Sequence, residues 1–425
     1  MTIKKNLVSL VLMSIATIAT MMFTACSEED MPESTTSNVH KAAQAPASGA
    51  QTVLIYLAGR NDLSGALMKD LNEVKEGSKR LHDNNQLVVF VRNNNDSQPW
   101  VARIRNGQVT DSVSLSDLSI KSSDGQNRAS DPAVMEGVMR YAFSHYPAAN
   151  GNYGLVIEGH GSGWLMKNEV YRDGTRAVAA DYGNSEDSRD ARWINIPTMA
   201  SILKGLPRMK FIMTDCCNMM CLENLYELRN VCDYMIGSPA EIPADGAPYD
   251  QIVADLFSQS DKFYTGIISK YYNSAGGHLP LVAVKTSEME NVAQATRTAL
   301  HAVGQKTGSY PDMTGIIHYY HTDSNYDNFR AEYNIFYDAG DFFSRYAPAD
   351  VYRQWRQALN RAVVELRTST KWATDKLWSK KYADFKATAE KMHGVSMFVP
   401  QNPAKGNYAK YNEDIKKMAW YGAVN

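Results

Sequence analysis

YGLVIEGHGSGW, residues 153–164, is an apolar run that breaks into Gly159, His160, Gly161 and Gly163. A short run with no polar face reads as a strand buried on both sides. Its glycine-rich exit turns the chain out at the strand's carboxyl end, where open α/β sheets gather their function. His160 is therefore a candidate by position alone. The same pattern recurs in QTVLIYLAG (51–59), QLVVFVRN (86–93), KFIMTDC (210–216) and DYMIGSPAE (233–241).

Helical spacing fills the intervals. Leu67, Leu71, Val74 and Leu81 line one face between Ser64 and about His82, and Asp131 caps a helix through Tyr146 with Pro132 at its first position. NIPTMASILKGL (195–206) and CLENLYELRN (221–230) read as further helices, and WVARIRNGQVTDSVSL (100–115) as a hairpin about Asn106-Gly107. Strands alternating with helices imply an α/β fold with a mostly parallel central sheet flanked by helices. Past residue 260 the chain is more helical and aromatic, as in KFYTGIISKYY (262–272) and VYRQWRQALNRAVVELR (351–367), with GVSMFVP (394–400) as one more strand. The organisation expected is one α/β domain over 51–260, with 261–425 completing it or packing on it. Residues 165–192 form a long polar insertion carrying Lys167, Arg172, Arg176, Arg189 and Arg192.

With 44 Lys+Arg against 46 Asp+Glu in 425 residues, no basic stripe points to nucleic acid. The N-terminus differs from the rest. Lys4 and Lys5 precede an uncharged apolar run, then small residues and Cys26, the order of a secretory signal over 1–25. Thr24-Ala25-Cys26 resembles a bacterial lipobox, so Cys26 is the expected lipidation site and 26–50 a disordered tether. The acidic run SEED after Cys26 resembles a signal that exports some lipoproteins to the outer face of the outer membrane. The expected location is the bacterial cell envelope, lipid-anchored to the outer membrane.

The other cysteines, Cys216, Cys217, Cys221 and Cys232, crowd into FIMTDCCNMMCLENLYEL (211–228) and its sequel. A disulfide framework would spread them along the chain. Zinc would want C-x-x-C knuckles or histidine partners, and neither is present; no metal is expected. Ser162 is out of frame for a nucleophile elbow, and Trp164 occupies the third glycine of a dinucleotide fingerprint. A cysteine nucleophile fits better. A thiol between a strand end and a helix start would feel the positive end of the helix dipole, favouring thiolate. An imidazole on a neighbouring strand end can handle the proton, and the N–H of Gly161 can meet an oxyanion beside that of the nucleophile.

H-G-x-G-W at 160–164, D-x-C at 215–217 and E-x-x-Y-E-L at 223–228 resemble the clostripain family of cysteine peptidases, relatives of caspases and gingipains. The resemblance implies a caspase-like sandwich and makes Cys217 the nucleophile and His160 the general base, with Cys216 where alanine is usual. It further implies cleavage after Arg or Lys, with Asp215 in the specificity pocket and Asp245, which also begins an Asp-Gly turn, a second candidate. Self-cleavage between histidine and cysteine follows as an expectation, after Arg172 or Arg176. Calcium dependence is common in the family, although no D-x-[DN]-x-[DN]-G loop appears. Two alternatives stand beside this: an inactive surface-binding protein on the same fold, and a peptidase with a non-basic P1 preference.

Overall fold

The computed structural model describes residues 50–166, 177–307, 309–319, 335–372, 383–384 and 387–425. The signal segment, Cys26, the tether up to residue 49, Lys167, Arg172 and Arg176 lie outside the described residues. Five strands form the parallel heart of one nine-stranded sheet: β1 (Thr52–Ala58), β2 (Gln86–Arg92), β5 (Tyr153–Glu158), β8 (Met209–Asp215) and β9 (Cys232–Gly237). Across the sheet they run β9-β8-β5-β1-β2. From β1 the chain goes to β2 on one side, then crosses to β5 on the other, which puts the switch of strand order between β1 and β5.

Residues of β1 alternate between two apolar cores. Leu54, Tyr56 and Ala58 face one side with helices α2 (Pro132–His145), α3 (Ile196–Lys204) and α4 (Leu222–Glu227). Val53, Ile55 and Leu57 face the other, with α1 (Ser64–Ser78), α5 (Tyr249–Leu256) and α6 (Phe263–Ser274). This is why the parallel strands read as continuous apolar runs: neither face meets water. The expected start of α2 is present, with Asp131 accepting from the Ala133 N–H and Pro132 at the first position. The hairpin β3 (Trp100–Arg105) and β4 (Gln108–Ser114) turns through Asn106 and Gly107, both at positive φ. It ends the sheet in a mostly exposed edge strand, bulged near Asp111.

Residues beyond 260 are not a separate layer. Strand β10 (Leu281–Lys285) pairs with β9, and a further strand, Val363–Arg367, pairs with β10 as the opposite rim of the sheet. That rim strand lies inside a stretch whose sequence reads as helix. The helix stops at Ala362, and β-branched Val363 and Val364 enter the sheet instead. The expected strand GVSMFVP contributes only Ser396–Met397, paired with Tyr337–Asp338.

The polar insertion is also more ordered than its composition suggests. Its second half folds into β6 (Val178–Asp181) and β7 (Arg192–Ile194), an antiparallel pair whose first strand is fully buried.

Candidate active site

Strands β5 and β8 are paired in parallel with Glu158 opposite Asp215. His160 follows the first by two residues and Cys217 the second by two, so the register alone brings both to the same edge at neighbouring positions. The two exits touch through their backbones. The Gly159 N–H donates to Asp215 O at 3.4 Å, and a Cβ on Gly161 would lie 2.7 Å from Cys216 Cβ and 2.8 Å from Cys217 O. Only glycine fits there. Gly161 bridges to Val178 of β6 through its neighbours, with Ser162 N–H donating to Ala177 O and Ala179 N–H to His160 O. That pattern leaves the N–H of Gly161 itself outside the ladder.

After Cys217 the chain turns sharply through Asn218, held at φ 60° by side-chain donation to Pro239 O and Tyr319 O. Helix α4 begins only at Leu222, with Cys221 as its cap. The expectation of a helix-dipole-activated thiolate is therefore corrected: the thiol lies a full turn of irregular chain away from the helix end, beyond the dipole's reach. Burial and then the nearby Glu241 push the Cys217 thiol up to about 12. Its sulfur accepts from the Ile242 N–H at 3.3 Å and donates to Ile242 O at 3.8 Å. His160 is engaged elsewhere, with Nε2 2.7 Å from Asp62 Oδ1. Among the described residues no hydrogen bond joins the imidazole to the thiol.

Asp215 is buried and accepts from Ala247 N–H at 2.8 Å, Tyr249 OH at 3.1 Å and Tyr271 OH at 2.6 Å. Burial still holds its carboxyl above the ordinary range. Tyr271 and Asp245 line a cleft of about 330 Å³ with Glu73, Gly246 and Asp250, whereas Asp215 itself stays behind the wall. Gly246 covers it: a Cβ there would come within 2.9 Å of Asp215 Oδ2 and 3.4 Å of Asp70 Oδ2. Asp245 both lines the cleft and belongs to a turn closed from Gly246 N–H to Pro243 O, so its two sequence roles coexist. Behind the wall, burial raises the carboxyls of both Asp70 and Glu158.

Asp62, Asp70, Glu158, Tyr182 and Ile242 were not singled out by the sequence, since each acquires its partner only through the fold. Cys216, Cys217, Cys221 and Cys232 are all free thiols. No group of three His, Cys, Asp or Glu side chains among the described residues is arranged to hold a metal ion. Calcium, which the family resemblance allows, therefore has no carboxylate cluster of that kind among the described residues.

Residues 55–425 match the sequence model of the clostripain family. The chain belongs to that family. Two solved structures share its fold over 89% of this chain and 99% of theirs: an inactive zymogen C11 protease from Parabacteroides distasonis, 26% identical with a TM-score of 0.71, and a secreted C11 cysteine protease from Bacteroides thetaiotaomicron bound to an irreversible peptide inhibitor, 27% identical with a TM-score of 0.68. No curated protein gives a significant match. Membership in this family of cysteine peptidases gives the strand exits of β5 and β8 their chemical context.

Proposed function

We propose that this clostripain-family chain is a cysteine endopeptidase that cleaves after Arg or Lys. The observation that carries the reading is the paired register of β5 and β8, which brings His160 and Cys217 to neighbouring positions of one sheet edge; Cys217 is bonded to Ile242, the chain neighbour of Pro243 in the wall of an acidic cleft. In the reaction, the Cys217 proton passes to the His160 imidazole and the sulfur attacks the scissile carbonyl carbon. The oxyanion takes hydrogen bonds from the Gly161 and Cys217 N–H groups. As the C–N bond breaks, the imidazolium protonates the leaving amine. Water, deprotonated by the imidazole, then hydrolyses the thioester and restores the thiol.

The cleft supports a basic P1 residue. Glu73, Asp245 and Asp250 line it, and Asp215 lies directly behind Gly246. A guanidinium or ammonium would be drawn by these carboxylates and would offset the cost of the buried Asp215 carboxylate behind them. Hydrolysis of short fluorogenic peptides ending in Arg or Lys, with Cys217→Ala as control, tests the reading. Asp215→Asn should lower kcat/KM for both while the protein remains folded. A wild-type preference for acidic or apolar P1 residues would remove the assignment.

We read the described state as latent, because the thiol is bonded to the Ile242 backbone and, among the described residues, not to the imidazole. The zymogen state of the Parabacteroides relative is in keeping with activation by a cut, which we assign here to Arg172 or Arg176. Lipid attachment through Cys26 belongs to the same proposal; Cys26→Ser should move the protein from the membrane fraction to the soluble or unprocessed one.

A further inference from the structure

Asp62 stands at the exit of β1, across the switch point from His160 at the exit of β5. One carboxylate oxygen meets two partners: Asp62 Oδ1 is 2.7 Å from His160 Nε2 and accepts from Tyr182 OH at 2.8 Å. Its mount is stiff although the side chain is 60% exposed. Asn61, buried next to it, donates to Ala58 O at 2.9 Å and Ala180 O at 2.7 Å, and its Oδ1 accepts from Leu63 N–H. One residue earlier, Arg60 donates through its side chain to Gly183 O at 2.9 Å, and its carbonyl accepts from Tyr182 N–H at 2.9 Å. The two residues before Asp62 are thus stitched to β6 and the turn that follows it, and the β6 backbone also holds His160 O.

A carboxylate can only accept, so Nε2 carries the proton and Nδ1 is left with the lone pair. The bonds from His160 and Tyr182 hold the Asp62 carboxyl well below the usual carboxylate range, so it stays ionised. An ionised partner on Nε2 also favours the imidazolium that forms when Nδ1 takes the thiol proton. A purely structural ion pair at this exposure would contribute little to stability. Its placement on the imidazole that the peptidase reading makes the proton carrier gives it another use.

We propose that Asp62, seconded by Tyr182, is the positioning residue of the peptidase: it fixes His160 with Nδ1 as the working nitrogen and supports its positive charge. This rests on the reading of Cys217 and His160 as the reacting pair. It extends that pair by a third group that no sequence motif marked.

Two measurements on the full-length chain test it. In kinetics with Arg- and Lys-ended peptides, Asp62→Ala should lower kcat about 100-fold or more while KM stays within about threefold, since the group acts on the proton carrier and not on substrate binding. Asp62→Glu should recover most of the loss, and Tyr182→Phe should cost less than Asp62→Ala. A kcat within about threefold of wild type, or a loss confined to KM, overturns the proposal. Independently of activity, the Cys217→Ala chain should show a slowly exchanging, downfield Nε2–H proton on His160 that disappears with Asp62→Ala. Its absence, or its persistence without Asp62, also overturns the proposal. If the proton behaves as expected yet wild type neither hydrolyses peptides nor is labelled at Cys217 by a peptidyl electrophile, the peptidase reading has failed, and the catalytic role of Asp62 with it.

Discussion

At Cys216 the thiol is fully buried and donates to Ile157 O at 3.4 Å, whereas the next residue brings its sulfur to the edge of the sheet against Ile242. Replacing Cys216 by Ala should therefore leave most peptidase activity and cost about 1 kcal/mol of stability, the loss of one small buried group. Cys217→Ala and His160→Ala should each abolish hydrolysis of fluorogenic peptides. An inactive Cys216→Ala with an active Cys217→Ala would shift the assigned nucleophile by one residue. The raised Cys217 thiol gives a second expectation. With its proton held up to about 12, thiolate at pH 8 is a fraction on the order of 10⁻⁴. In a His160→Ala chain, which keeps the thiol but does not cut itself, iodoacetamide alkylation of Cys217 should rise roughly tenfold per pH unit from 8 to 11. A plateau below about pH 10 would mean that the thiol is already free of Ile242. The candidate pair itself was legible in the sequence, because two strand exits carry their residues in recognisable frames. Asp62 was not, since its partner lies 98 residues away and is met only across the switch point.

Element placement sets what the proposed activating cut would leave behind. Met166 and Ala177, which flank 167–176, are both buried, and Ala177 O accepts from Ser162 N–H at 2.8 Å. A cut after Arg172 or Arg176 would leave each piece held to the core through Met166 or Ala177. The purified wild-type chain should resolve into two fragments under denaturing conditions but migrate as one particle under native ones, while Cys217→Ala stays whole. A fully active enzyme that remains a single chain would count against this. At this scale the sequence was read best where periodicity was unopposed, as in β1, β5, β8 and α2. It misled where a buried strand hid in a polar context, as Val178–Asp181 does among charged neighbours. Val363–Arg367 escaped notice because it continues a helical period without a break.

In the whole molecule, the sheet does not stop at the boundary that composition suggests near residue 260. Strands from beyond it pair onto β9, and Trp164 of the histidine motif packs on Phe398 at 4.8 Å between ring centres. A chain ending at residue 260 should therefore fail to accumulate as soluble folded protein, with circular dichroism lacking a cooperative melt; a well-behaved fragment would show that the remaining 165 residues are dispensable to the fold. Chain-wide similarity to the two C11 protease structures fits this unity, since it covers nearly all of each relative. The hairpin rim of the sheet has one more consequence. β4 ends the array with Gln108, Asp111 and Ser112 exposed and a bulge that breaks its spacing. Arg103 and Asp111 form an ion pair across its last ladder at 2.9 Å. A strand that is polar, kinked and charged offers a poor template to a stranger's backbone. Amyloid-like stacking has little purchase on that side, a useful trait for the proposed peptidase, whose substrates would include loose peptide segments.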